Sequence, residues 1–117
     1  MQINIASWQL ARRIPAGLGV YNLAVGHDGR PLVATNKRGS SVSIFELKSG
    51  KELVRLPTKR KVVHGVVVSP DDGYVFVSGE GVGSEPGTVE VLAAPKTVAA
   101  IDRQKQAAGV DFWKIEP

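Results

Sequence analysis

His27 and His64 are the two histidines of a 117-residue chain without cysteine. They are its side chains best suited to metal binding or to proton transfer near neutral pH. His27 precedes Asp28-Gly29 and is expected to be solvated in a turn. His64 opens the apolar run Gly65-Val66-Val67-Val68 and is expected to start an inner strand. Copies of it in a symmetric assembly would make a metal site conceivable, but no other histidine or carboxylate is spaced to join it. A histidine that merely begins a strand is the preferred reading, and no metal ligand or cofactor is assigned. Asp71-Asp72 has the composition of a paired-carboxylate site, yet followed by Gly73 it reads as hairpin turn chemistry. Ser69, Ser78 and Ser84 have no histidine at a recognisable motif distance, so a nucleophilic triad is unsupported and no catalytic residue is assigned. The glycine-rich stretch 79–87 neither opens a helix nor carries a P-loop lysine; it is expected to be an enlarged, mobile loop open to a functional role.

The cations are more informative. Fifteen lysines and arginines against eleven acidic residues leave a net charge of +4. Seven of the cations fall in three groups: Lys37 and Arg38; Lys59, Arg60 and Lys61; Arg103 and Lys105. Whether they act together depends on the elements that carry them.

Those elements repeat. Residues 25–36 (Val25 to Asn36) lie over residues 68–79 (Val68 to Gly79) at an offset of 43, with apolar positions coinciding at Val25/Val68, Leu32/Val75, Val33/Phe76 and Ala34/Val77. Ser41-Val42-Ser43-Ile44-Phe45 lies over Thr88-Val89-Glu90-Val91-Leu92 at 47, and Leu53-Val54-Arg55-Leu56 over Val98-Ala99-Ala100-Ile101 at 45. A period near 43 with insertions confined to the stretches between apolar runs fits four-stranded propeller blades. In each unit the first run is almost continuously apolar, as for a strand covered on both faces. The second and third alternate with period two, as in Val75-Phe76-Val77-Ser78 and Thr88-Val89-Glu90-Val91. The fourth is more polar, as an outer edge should be. Turns at His27-Asp28-Gly29, Lys48-Ser49-Gly50-Lys51 and Asp71-Asp72-Gly73 separate them.

The same residues resemble the YVTN β-propeller repeat, whose pattern runs S-P-D-G-x-x-h-Y-V-T-N, then T-V-S-V, then V-V-A-T-I. Ser69-Pro70-Asp71, Tyr74-Val75-Phe76-Val77-Ser78 and Leu32-Val33-Ala34-Thr35-Asn36 match its first half; Val42-Ser43-Ile44, Thr88-Val89-Glu90-Val91 and Val98-Ala99-Ala100-Ile101 match the rest. The resemblance implies an all-β propeller of antiparallel four-stranded blades, used for binding or scaffolding, often in the periplasm or at the cell surface, with no shared catalytic motif. The N-terminal residues show no signal peptide, and no apolar run is long enough to span a bilayer. The compartment is therefore left open.

The whole chain is expected to be one repeat domain: a partial blade at 1–20, blades at 21–63 and 64–107, and at 108–117 the inner strand of a shared blade. Propellers generally need about four to eight blades, so homo-oligomerisation is expected to complete the ring, with a dimer first and a trimer second. Trp8 is expected to fill an outer turn and Trp113 to pack between blades. In this geometry all seven grouped cations project to one face, with Asp28, Asp71 and Asp72 on the other. The expected function is a non-enzymatic binding module whose basic face takes an acidic ligand or an acidic protein. Nucleic acid is less favoured because no aromatics are interleaved with the cations. The alternatives are a propeller enzyme, lactonase-like or cofactor-holding, with a site in a central channel, and a gene fragment without selected activity.

Overall fold

The computed structural model describes residues 1–93 and the backbone of residues 96–102. Ten strands follow in chain order, with no helix among the described residues: β1 (Gln2–Asn4), β2 (Gln9–Arg12), β3 (Val20–Val25), β4 (Pro31–Asn36), β5 (Ser41–Glu46), β6 (Glu52–Pro57), β7 (Val62–Val68), β8 (Val75–Glu80), β9 (Thr88–Ala93) and β10 (Lys96–Asp102). They form three antiparallel sheets: the hairpin β1-β2, and two four-stranded meanders, β3-β4-β5-β6 and β7-β8-β9-β10. The strand expected around Val110 to Trp113, and with it the packing of Trp113, lies outside the described residues.

The turns follow from their residues. In the β3–β4 turn the Gly26 N–H donates to the Pro31 carbonyl at 2.8 Å and the Gly29 N–H to the Gly26 carbonyl at 2.9 Å, with Gly29 at φ 75°. The β7–β8 turn repeats this pattern, Ser69 N–H to Tyr74 carbonyl and Asp72 N–H to Ser69 carbonyl, both at 2.9 Å. Here the left-handed position belongs to Asp72, at φ 58°, and not to Gly73. Aspartate is among the few non-glycine residues that visit this region routinely. Trp8 takes φ 55° in the β1–β2 turn, where a bulky side chain is an outlier. It is 80% exposed, so it occupies the turn without filling anything.

Strand β7 packs against β3 and β4 of the other meander. The core between the sheets joins Val33, Val42 and Ile44 to Val63, Val68, Val75, Val77 and Leu92. Each such side chain contributes roughly 1.5–3 kcal/mol relative to exposure. Residues 33–36 of β4 and 41–45 of β5 are all buried, so these are the strands covered on both faces. The continuously apolar first strand was expected to have that role, and β3 corrects the expectation. Val20, Tyr21, Leu23 and Val25 are each about half exposed, because β3 is hydrogen-bonded along one edge only and meets β7 with one face. Segment 12–19 ties the N-terminal hairpin to the first meander. The Arg12 guanidinium donates to the carbonyls of Leu47 and Lys48, and the Lys37 N–H donates to the Gly19 carbonyl.

Candidate binding site

The grouped cations among the described residues lie at one end of the meanders. There, Lys37 and Arg38 follow β4, and Lys59, Arg60 and Lys61 precede β7. Their loops are stitched together: the Ser40 hydroxyl donates to the Lys61 carbonyl at 2.7 Å, and the Thr58 N–H donates to the Ser40 carbonyl at 2.9 Å. Arg60 Nε donates to the Pro86 carbonyl at 2.7 Å, which brings the β8–β9 loop to the same corner. That loop folds back on itself, so that a Cβ added at Gly81 would lie 2.1 Å from the Glu85 carbonyl oxygen. Arg38 and Lys61 are exposed and form no ion pair with another described residue. Beside Ser40 opens a cleft of about 340 Å³, lined by Gly17, Leu18, Gly39, Ser41, Arg55 and Pro57. Arg103 and Lys105, the remaining expected site residues, lie outside the described residues.

Beneath the basic loop sits a residue that the alternating pattern of β9 concealed. Glu90 is 3% exposed, and its Oε1 accepts the Lys59 N–H at 2.5 Å, with the Arg60 N–H also donating to the carboxylate. Burial pushes its carboxyl above the ordinary range, against the pull of these two N–H groups and of the Lys59 and Arg60 charges. A period-two strand suggests one wet face, but β9 buries both Val89 and Glu90.

At the opposite end, Asp71 performs the expected turn chemistry, accepting from the Ser69 hydroxyl at 2.6 Å and the Gly73 N–H at 3.0 Å, bonds that hold its carboxyl low. Asp72 instead reaches across to the neighbouring turn. It accepts the His27 N–H at 2.7 Å and the Asp28 N–H at 2.9 Å, with His27 Nδ1 at 3.3 Å. The Asp28 and His27 backbone donors bring Asp72 down to about 2. Ser78 is likewise structural, its hydroxyl accepting the Gly65 N–H at 2.9 Å.

The expectation that no carboxylate joins His64 is overturned. His64 Nε2 lies 2.8 Å from Glu80 Oε2, with side chains 22% and 33% exposed. Register explains it: Val62 pairs with Glu80, and an irregularity between Val63 and Val66 leaves His64 diagonal to that pair. Counted outward from the β7–β8 turn without that irregularity, the pairing would set His64 opposite Gly79, so the sequence carried no signal for this contact. On its other side the His64 ring meets Tyr21 of β3, centroids 5.0 Å apart, and Lys37 Nζ stands 4.5 Å from the Tyr21 ring centre. Among the described residues, no three His, Asp or Glu side chains gather in a way that could hold a metal ion. No helix among them is long and apolar enough to cross a membrane.

No family model and no curated protein matches the chain. Among solved structures, hydrazine synthase from Kuenenia stuttgartiensis is similar over 87% of this chain, with a TM-score of 0.70 and 19% sequence identity. The match covers 28% of that chain, so the present sequence spans well under a third of its length. Hydrazine synthase contains a β-propeller. The likeness is one of fold: an all-β chain of antiparallel, propeller-like sheets.

Proposed function

We propose that this chain supplies blades of a YVTN-type β-propeller and works as a non-enzymatic binding module, taking an acidic ligand or an acidic protein on its basic end. One observation carries the proposal: the Ser40–Lys61 and Thr58–Ser40 hydrogen bonds hold two cation-bearing loops edge to edge. Lys37, Arg38 and Lys59 to Lys61 thereby add their fields over one small area, while Asp28, Asp71 and Asp72 lie at the far end of the same strands. Like charges gathered on one surface raise the local concentration of an anionic partner and speed its encounter, an effect that weakens with salt.

Association of copies belongs to the same proposal. Ile3, Ile5, Trp8 and Leu10 of the first hairpin and the outer side chains of β3 are exposed, and blade-like units stabilise one another by stacking. A dimer is the first choice. Light scattering on the eluting protein tests this part, and a stable 12.5 kDa monomer would end it.

The binding reading is tested on a sulfated-polysaccharide resin such as heparin. Wild type should be retained and released by salt, and Arg38→Ala/Lys61→Ala should elute at distinctly lower salt. Co-elution of the two proteins would remove the basic end from consideration.

A further inference from the structure

The cluster of Tyr21, Lys37, His64 and Glu80 is not explained by the charge of the basic end. Three elements build it. Tyr21 comes from β3, His64 and Glu80 from the β7–β8 hairpin, and Lys37 from the loop after β4. It therefore lies where the two meanders meet, on the side of the cationic loops. The contacts run in a chain: Lys37 Nζ over the Tyr21 ring at 4.5 Å, Tyr21 against the His64 ring at 5.0 Å, His64 Nε2 to Glu80 Oε2 at 2.8 Å. Tyr21 is 54% exposed, so the cluster opens to solvent. The hydroxyls of Thr35 on β4 and Ser78 on β8 are already engaged. Thr35 Oγ1 donates to the His64 carbonyl at 2.8 Å, and Ser78 Oγ accepts from the Gly65 N–H.

The donor and acceptor inventory is specific. An ionised carboxylate only accepts, so the His64 Nε2 facing Glu80 carries the proton. In the neutral ring Nδ1 is then an acceptor, and Glu80 keeps further lone pairs on a side chain one-third exposed. The site thus offers one ammonium, two acceptors and an aromatic wall. A bare anion such as sulfate satisfies the ammonium but has no donor for Nδ1, and it meets the Glu80 charge. A neutral sugar satisfies the acceptors and leaves Lys37 unused. A molecule with a carboxylate and nearby hydroxyl groups satisfies both.

We propose that Tyr21, Lys37, His64 and Glu80 form a binding site for a polyhydroxylated carboxylate, the chemistry shared by free sugar acids and by uronate units of acidic polysaccharides. This rests on the reading of the basic end as a ligand-binding surface, and it names the ligand class for one part of that surface. Lys37 takes the carboxylate, His64 Nδ1 and the free lone pairs of Glu80 take hydroxyl protons, and Tyr21 forms the wall. Glu80 also fixes the tautomer of His64, which makes it a positioning residue as well as a contact.

The test uses the full chain and its histidine ring NMR signals, with calorimetry in parallel. Sodium galacturonate should shift the His64 signals and bind at least tenfold more tightly than galactose or sodium sulfate. Lys37→Met and His64→Gln should each weaken galacturonate binding tenfold or more. The surface position of Lys37 keeps the test valid if the His64 variant fails to fold. A trigalacturonide binding more than tenfold tighter than the monomer supports a polysaccharide source; equal affinity supports a free sugar acid. Equal response to sulfate, or unchanged binding in Lys37→Met, overturns the proposal. Retention on heparin without galacturonate binding sinks this inference and leaves the basic-end reading standing. Loss of both sinks both.

Discussion

Replacing Glu90 separates two effects that the native carboxylate combines. Its oxygens accept the Lys59 and Arg60 N–H groups in a place where water scarcely reaches. Glu90→Ala leaves both donors without that acceptor, at about 1–3 kcal/mol each. A total loss of roughly 2–6 kcal/mol follows, read as a lower urea midpoint with an unchanged slope. Glu90→Gln behaves differently. It keeps the shape and one acceptor oxygen, it turns an amide N–H toward the second donor, and it removes the cost of burying a charge. These changes offset one another, and Glu90→Gln should fall within about 1 kcal/mol of wild type at pH 7. The pH dependence supplies the sharper check. The folded-state carboxyl lies above its ordinary value of 4.5, so the unfolded chain gives up the proton first. The stability linked to this group is fully present below about 4.5 and is lost as pH rises through the higher folded value. Wild type should therefore gain on Glu90→Gln as pH falls from 7 toward 4.5. Using the difference between the two proteins cancels the other titrating groups. A difference that is flat over this range, or a Glu90→Ala protein as stable as wild type, would refute the buried-carboxylate account.

Two further outcomes follow from the turns and loops. Asp72 is held down at about 2 against an ordinary 3.8, so its contribution is present above about 4 and is lost as pH falls through 2. Asp72→Asn, which tolerates the left-handed conformation, should be less stable than wild type at pH 5, with the gap closing by pH 2 in acid-unfolding curves. A gap of constant size would mean that the bonds to residues 27 and 28 stabilise nothing. Gly81→Ala places a Cβ against backbone, 2.1 Å from the Glu85 carbonyl oxygen, whereas Gly29→Ala meets nothing within 4 Å and bears only its positive φ. By urea titration the second should cost about 1 kcal/mol and the first more; the reverse order would contradict the packing of the β8–β9 loop.

Strand order is the part of this fold that residue patterns make legible. Runs such as Val75-Phe76-Val77-Ser78 and Thr88-Val89-Glu90-Val91 fall within β8 and β9, and the turns at 27–29, 48–51 and 71–73 fall between strands, whereas the glycine-rich stretch expected as a loop at 79–87 begins with two residues of β8. Burial is less legible, because alternation presumes one wet face. In β9 both faces are covered, so Glu90 is buried at a position that reads as polar and outward; in β3 a continuously apolar run is half exposed for want of a neighbour. The candidate sites show the same division. Cation clusters such as Lys59-Arg60-Lys61 are plain in the sequence, but their union with Lys37 and Arg38 runs through two hydrogen bonds at Ser40, one from its hydroxyl and one to its carbonyl. His64 and Glu80 stand sixteen residues apart and meet only because the β7–β8 register slips between Val63 and Val66. Irregularities of pairing carry no residue signature of their own.

Gly29 and Asp72 stand at the same corner of successive units, and the exchange of one for the other gives the chain a direction. The glycine asks nothing of whatever precedes its unit. The aspartate spends its carboxylate on main-chain donors at His27 and Asp28, so its unit is complete only behind another. The two units are thus not interchangeable modules. Transposing them would strand the carboxylate where no such corner awaits it.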